Sequence, residues 1–314
     1  FEGSAYTVDA QSAAAFIYAA DNGACIAQCS YGNYNIITND DEYLNGSDRI
    51  TGSPLENAAL RYFLDPSNSN HESLEGNIAV FAAGNHSNPY SSYPGALPYV
   101  VSVTAVGVDY LPSGYTNYGP GSKISAPGGE MATSDDRAMA ILSTGVSNSA
   151  QISPSVIGED GHSDTQYVYM QGTSMACPHV SGVVALGISY ATQLRRHFKA
   201  AELQQLLVDT ATPIDSYMTG KKSYRRYVAD IGPLQPMQIN MADYRGKMGT
   251  GQVNADKFLA AIAGDAGVEM VFPNLYITLG SKMAVDPARY FVDGQTLTYT
   301  VSIADTSIVS LSEQ

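Results

Sequence analysis

Two kinds of hydrophobic run alternate along the chain. Residues 10–22 (AQSAAAFIYAADN) predict a helix stopped by Gly23, a C′ glycine. ACIAQCS (24–30) predicts a strand that stops at Tyr31-Gly32, and LENAALRYFL (55–64) carries apolar residues at helical spacing. NIAVFAAGN (77–85), YVVSVTAV (99–106) and KISAPG (123–128) are short runs without polar alternation. Strands apolar on both faces, separated by helices, predict an α/β fold: a doubly wound parallel sheet covered on both sides. In such sheets ligands bind beyond the carboxyl ends of the strands. Those ends are Ser30-Tyr31-Gly32, Ala83-Gly84-Asn85 and Ala126-Pro127-Gly128, small or Gly-rich as a backbone-lined groove requires.

The segment QGTSMACPHVSGVVAL (171–186) opens a further helix. Val180, Val183, Val184, Ala185, Leu186 and Ile188 place apolar residues nearly all round it, the pattern of a buried helix. Pro178 is expected in its first turn, where the missing N–H has no intrahelical partner, and Gly182 and Gly187 read as close-packing positions. Residues 200–211 and 254–263 predict two more helices. Near Gly264-Asp265-Ala266-Gly267 the pattern turns to β: VEMVF, LTYTVSI and IVSLS, with Asp293-Gly294 as a turn. The expected division is therefore an α/β domain over 1–264 and a β-rich, Ig-like or β-sandwich-like module over 265–314 that looks truncated.

Composition narrows the function classes. With 314 residues and 44% hydrophobic residues the chain is globular. Lys and Arg number 16 against 30 Asp and Glu, a formal net charge of −14, which disfavours binding to nucleic-acid phosphates. Arg195-Arg196, Lys221-Lys222 and Arg225-Arg226 are short and separated, and read as solvated faces. No apolar stretch reaches the roughly 18 residues of a membrane span. There is neither an initiator Met nor a signal peptide, so the chain reads as an internal piece of a longer polypeptide. Cys25 and Cys29 on one strand lie about 13 Å apart, too far for a disulfide. With Cys177 they read as buried small hydrophobes, and the redox compartment stays open.

Ser174 carries the chemistry. A hydroxyl at the start of a buried helix sits at the positive end of the helix dipole, where a developing oxyanion is stabilised and the Ser174 N–H can donate to it. Alone, such a serine is more often an N-cap than a nucleophile. Its company decides the matter. GTSMACPHVSGVVAL resembles the nucleophile segment of the subtilisin-like serine proteases, the subtilases. FAAGN (81–85) resembles their oxyanion-hole strand, and CSYG (29–32) the segment whose backbone pairs with substrate beside the S1 pocket. YPGALPYVVSVTAVG, SGYTNYG and KISAPGG follow in the family's order, and MGTGQVNADKFLA (248–260) resembles its closing helix. The likeness runs from about residue 5 to 263, with extra loops near 38–53, 130–140 and 213–246.

The resemblance implies a subtilisin-like peptidase domain over 1–264 whose sheet lacks its N-terminal strands, and a serine endopeptidase working through an acyl-enzyme. Ser174 would be the nucleophile, Asn85 and the Ser174 N–H the oxyanion donors, and Ser30, Gly32, Ala83 and Gly84 the substrate-binding backbone. It implies a peptide or protein substrate, and a secreted or cell-surface bacterial setting. No cofactor is required; the acid-rich loop NDDEYLNGSD (39–48) offers oxygen ligands for a structural Ca²⁺ without EF-hand spacing, although a solvated loop is the plainer reading.

A serine nucleophile needs a base, and in subtilases Asp and His precede Ser. Motifs of the forms D-[ST]-G and H-G-T-H do not occur, and FEGSAY resembles the region after the family's histidine. Asp and His are therefore expected from upstream of Phe1, or from a separate N-terminal fragment. Among local histidines, His179 lies about 140° round the helix from Ser174 and His197 roughly 30 Å along it. His86 and His162 are close to the groove in sequence, and His71 has no context. A lipase-type order is excluded, because no Asp or Glu lies between Ser174 and His197 and no His follows. The alternative to an enzyme is a catalytically inactive subtilase-like peptide-binding or adhesion module.

Overall fold

The computed structural model describes residues 5–32, 53–131, 139–144, 167–224 and 236–264, with short strand pieces at 156–157, 163–164, 227–228 and 232–233. The helices are α1 (Ala5–Asp21), α2 (Pro54–Leu64), α3 (Thr173–Gln193), α4 (Ala200–Asp209) and α5 (Ala255–Ala263). Among the described residues four strands build the central sheet: β1 (Ile26–Cys29), β3 (Ile78–Ala82), β4 (Val101–Val106) and β5 (Ile124–Pro127). The others are β2 (Leu74–Glu75), β6 (Ile141–Thr144), β7 (Val156–Ile157), β8 (Ser163–Asp164), β9 (Tyr167–Met170), β10 (Phe198–Lys199), β11 (Lys221–Tyr224), β12 (Tyr227–Val228), β13 (Gly232–Pro233) and β14 (Met237–Asn240).

The central sheet has the order β1-β3-β4-β5 and is parallel throughout, with Ile26 beside Ile78, Val80 beside Val101 and Val103 beside Ile124. Strand β3 explains its unbroken apolar run. Ile78, Val80 and Ala82 join the core formed with Val180 and Val184 of α3, Leu203 of α4 and Phe258 of α5. Ala79 and Phe81 point the other way, into a second core with Phe16 of α1 and Leu60 and Phe63 of α2. Both faces are covered, so no position on the strand is left for a polar residue.

Three details of α3 differ from expectation. It is not buried all round: Ala176, Cys177, Val180, Val184, Gly187, Ile188 and Ala191 form its buried stripe, while Leu186 is 55% exposed. Only Gly187 is a packing glycine. A Cβ there would lie 2.4 Å from Phe258 Cε1, whereas one at Gly182 meets nothing. Pro178 lies inside the helix rather than in its first turn. Its missing N–H is the one that would have bonded the Ser174 carbonyl four residues back, a vacancy that matters below.

Cys29 and Cys177 are buried and Cys25 is half-buried; all three are free thiols. Burial raises both Cys29 and Cys177 above the ordinary thiol value, Cys29 further because Cys177 and Glu56 add negative charge nearby. Iodoacetamide at pH 8 is accordingly expected to leave both unmodified in the folded protein and to label them after denaturation. Native labelling at the rate of an exposed thiol would contradict this burial.

Antiparallel ladders flank the extra segment near 130–140 and lie within the one near 213–246. β6 pairs with β9 just before α3, and β11 pairs with β14. No helix among the described residues is long and apolar enough to cross a membrane. The chain divides into two units, Phe1–Ile262 and Ala263–Gln314. The β-sandwich expected over 265–314 and the loop 39–48 lie outside the described residues.

Candidate active site

The carboxyl ends of β1 and β3 meet the N-terminus of α3 in a groove of about 200 Å³. Ser30, Tyr31, Gly32, Ala82, Gly84, Asn85, His86, Ser92, Thr173 and Ser174 line it. Gly172 caps α3 with φ 149°, a conformation that costs any residue with a Cβ. Its N–H donates to Gly128 O (2.9 Å), tying the end of β5 to the start of the helix. Ser174 follows two residues on, in the first turn, where backbone N–H groups have no intrahelical acceptor.

Asn85 is oriented by Thr173. The Thr173 N–H and hydroxyl both donate to Asn85 Oδ1, at 2.9 and 2.8 Å. A backbone N–H only donates, so the atom facing it is the amide oxygen, and Nδ2 is left as the donor on the groove side. One point then collects both proposed donors. A Cβ placed on Gly172 would lie 3.5 Å from Asn85 Nδ2 and 3.5 Å from the Ser174 nitrogen. Glycine at 172 keeps that point open.

Ser30 and Ser174 are joined reciprocally. Ser174 Oγ donates to Ser30 O (3.2 Å), and Ser30 Oγ donates to Ser174 O (2.7 Å). The second bond fills the vacancy left by Pro178. Gln28 Nε2 donates in turn to Ser30 Oγ (2.5 Å) and Cys177 Sγ (3.6 Å). Gln28 carried no motif signal.

The remaining expected residues are placed as follows. Gly32 lines the groove, and a Cβ there would sit 3.1 Å from Ser92 Cβ. Gly84 lines it too, but its backbone is engaged: its N–H donates to Thr173 Oγ1 (3.2 Å) and its carbonyl accepts from Asn117 N (2.9 Å). Ala83 is fully buried beneath the groove. Its N–H donates to Val103 O, and its carbonyl accepts from Ser92 N and Asn117 Nδ2. It has no backbone group left to pair with a substrate, and Ala82 reaches the groove instead.

Asn117, within the SGYTNYG segment, organises this turn. It is 1% exposed, donates to Ala83 O (3.0 Å) and Ser92 Oγ (3.1 Å), and accepts from His86 N (2.9 Å) and Asn88 N (3.0 Å). The loop carrying Asn85 is thus fixed from below. Gly84, at φ +109°, has no room for a Cβ, which would lie 2.3 Å from Asn117 Nδ2 and 2.5 Å from Ser92 Oγ. Gly84→Ala is expected to cost at least about 2 kcal/mol through strain and overpacking. An unchanged urea midpoint would contradict this geometry.

Tyr31 forms one wall. Its ring meets Phe81 edge-on at 5.7 Å, and its hydroxyl donates to the buried Glu56 (2.8 Å). Burial first, then the neighbouring Cys29 and Glu56, raise the hydroxyl well above its ordinary value, so it stays neutral. His86 lines the groove, His179 Nδ1 bonds Met175 O (2.8 Å) on the exposed side of α3, and His71 Nδ1 accepts from Ser73 N (3.2 Å). His162 lies outside the described residues. Among the described residues Ser174 Oγ is bonded to the Ser30 carbonyl and to no histidine. Among them, too, no three His, Cys, Asp or Glu side chains gather as a metal site.

A hydroxyl at a helix N-terminus beside two convergent N–H donors is an arrangement for acyl transfer. The comparisons agree with it. The Subtilase family model matches residues 2–241. The chain is 27% identical over 268 residues to fervidolysin of Fervidobacterium pennivorans, covering 79% of this chain and 32% of that protein. It is 31% identical over 138 residues to an extracellular basic protease of Dichelobacter nodosus, covering 44% of this chain and 20% of that one. The chain thus spans a fifth to a third of these relatives. In structure it resembles a lanthipeptide protease, with TM-score 0.53, 21% identity and coverage of 83% of this chain and 67% of that one. A protease from Pseudoalteromonas arctica gives TM-score 0.52 at 23% identity, covering 80% and 59%. The fold is subtilisin-like, and the chain belongs to the subtilase family.

Proposed function

We propose that this chain carries the nucleophile and oxyanion site of a serine endopeptidase. The observation that carries the reading is the common point 3.5 Å from both Asn85 Nδ2 and the Ser174 nitrogen, in the groove that Asn85 and Ser174 both line. Extended substrate lies antiparallel to the backbone at Ser30–Gly32. A substrate N–H that pairs with Ser30 O displaces Ser174 Oγ from that carbonyl and frees it to attack. The carbonyl oxygen of the scissile bond, as it gains negative charge, sits between the two N–H donors. The Ser174 proton passes to a histidine, which returns it to the leaving amine; water then hydrolyses the ester on Ser174.

That histidine and its aspartate are supplied from upstream of Phe1. The support is chemical: Ser174 Oγ faces a carbonyl rather than a base among the described residues, and neither family motif occurs in the sequence. The working enzyme is secreted or at the cell surface, in keeping with relatives named as extracellular proteases. The parked Ser174 hydroxyl also fits a second reading, a protein that grips peptides without cutting them. Incubating the longest natural polypeptide containing this chain with an internally quenched peptide library separates the two. Cleavage that stops on fluorophosphonate treatment supports the protease; saturable binding without cleavage supports the second reading.

A further inference from the structure

Segment 128–131 is clasped to the start of α3. Gly172 N–H donates to Gly128 O (2.9 Å), and Met131 N–H donates to Gln171 Oε1 (2.5 Å). A Cβ on Gly128 would lie 2.9 Å from Gly172 O, so the two segments approach backbone to backbone. Glu130 sits in the middle of this clasp. Its Oε1 accepts from Gly114 N (2.9 Å), and its own N–H donates to Met139 O (2.8 Å) beside β6. Its Oε2 accepts from Lys222 Nζ (2.5 Å).

Lys222 comes from β11, within the extra segment near 213–246. Its side chain is 16% exposed, bonds Asp109 Oδ2 as well (2.8 Å), and lies over the Tyr224 ring at 4.9 Å. Tyr224 is 2% exposed and its hydroxyl donates to Pro112 O (2.6 Å). One cation thus joins two acids from separate loops, and an immobilised aromatic ring supports it from below. Without that cation Glu130 and Asp109 would repel. Burial already disfavours the Glu130 carboxylate, with Lys222 and the Gly114 N–H offsetting part of that cost.

We propose that Lys222 is a positioning residue for the oxyanion site. Through Glu130 it holds the 128–131 segment, and through Gly128 O it fixes Gly172 and hence the convergence of Asn85 Nδ2 and the Ser174 nitrogen. The inference rests on the proposed reading of that site, and the test separates the two.

In the full natural polypeptide, three variants are compared with the wild type: Lys222→Met, Lys222→Arg, and Lys222→Met with Glu130→Gln. The double variant removes the unpaired buried charge that destabilises the single one. Two quantities are read, each corrected for the folded fraction: the rate of Ser174 labelling by a fluorophosphonate, and hydrogen exchange at the Gly172 amide. Lys222→Met and the double variant are expected to label roughly ten-fold more slowly or worse and to exchange Gly172 faster, with Lys222→Arg restoring most of both. Labelling within two-fold of wild type and unchanged Gly172 exchange would overturn the proposal, even if the urea midpoint fell. If wild-type protein does not label, the nucleophile reading fails. The exchange at Gly172 then decides the Lys222 claim by itself.

Discussion

Replacing Ser174 with alanine is expected to abolish peptide hydrolysis while leaving the fold intact. The rate loss should be on the order of 10⁶-fold in kcat, a size taken over from subtilisin itself. The structural cost should be small. Among the described residues Ser174 Oγ makes one hydrogen bond, to Ser30 O, and the bond in the other direction uses the Ser174 backbone carbonyl, which alanine retains. A change in unfolding free energy of no more than about 1 kcal/mol follows. Steady-state hydrolysis and urea denaturation on the same preparations check both halves. Residual activity within a hundred-fold of wild type would mean that another group attacks the carbonyl.

Asn85 should give the second-largest effect, and its two roles can be separated. Asn85→Ala removes the Nδ2 donor and is expected to lower kcat by about 10²–10³-fold, again a size established for subtilisin. It also strips the acceptor from the fully buried Thr173, whose N–H and hydroxyl both point at Oδ1. That should cost roughly 1–3 kcal/mol of stability. Asn85→Asp keeps the acceptor and loses the donor. It should therefore unfold near the wild-type midpoint yet lose at least as much kcat, with KM little changed. If Asn85→Asp retained kcat while Asn85→Ala lost it, Asn85 would be a brace for Thr173 and not a donor to the oxyanion.

The sheet was legible because burial on both faces writes long apolar runs. Ile78–Ala82 has no position where a polar residue is tolerated, and the run announces itself. The proposed oxyanion region was legible for a different reason: positive φ at 84 and 172 and tight contacts at 84 and 128 demand glycine, and those glycines stand in recognisable motifs. What stayed hidden was long-range pairing of ordinary polar residues. Asn117 serves Ala83 and Ser92 on one side and His86 and Asn88 on the other, but in the sequence it is only an asparagine in a turn. Lys222 lies 92 residues from Glu130, and the strand carrying it, KKSY, has no apolar alternation to reveal it. Pro178 was misplaced by half a turn or more because a proline's neighbours do not say where a helix begins; the compensating Ser30 hydroxyl lies 144 residues away.

The most direct test of the account is tandem mass spectrometry of the natural polypeptide after reaction with a fluorophosphonate at neutral pH. The account predicts a single adduct on Ser174, absent from Ser174→Ala. An adduct on any other side chain, or peptide cleavage that continues with Ser174 unmodified, would contradict it.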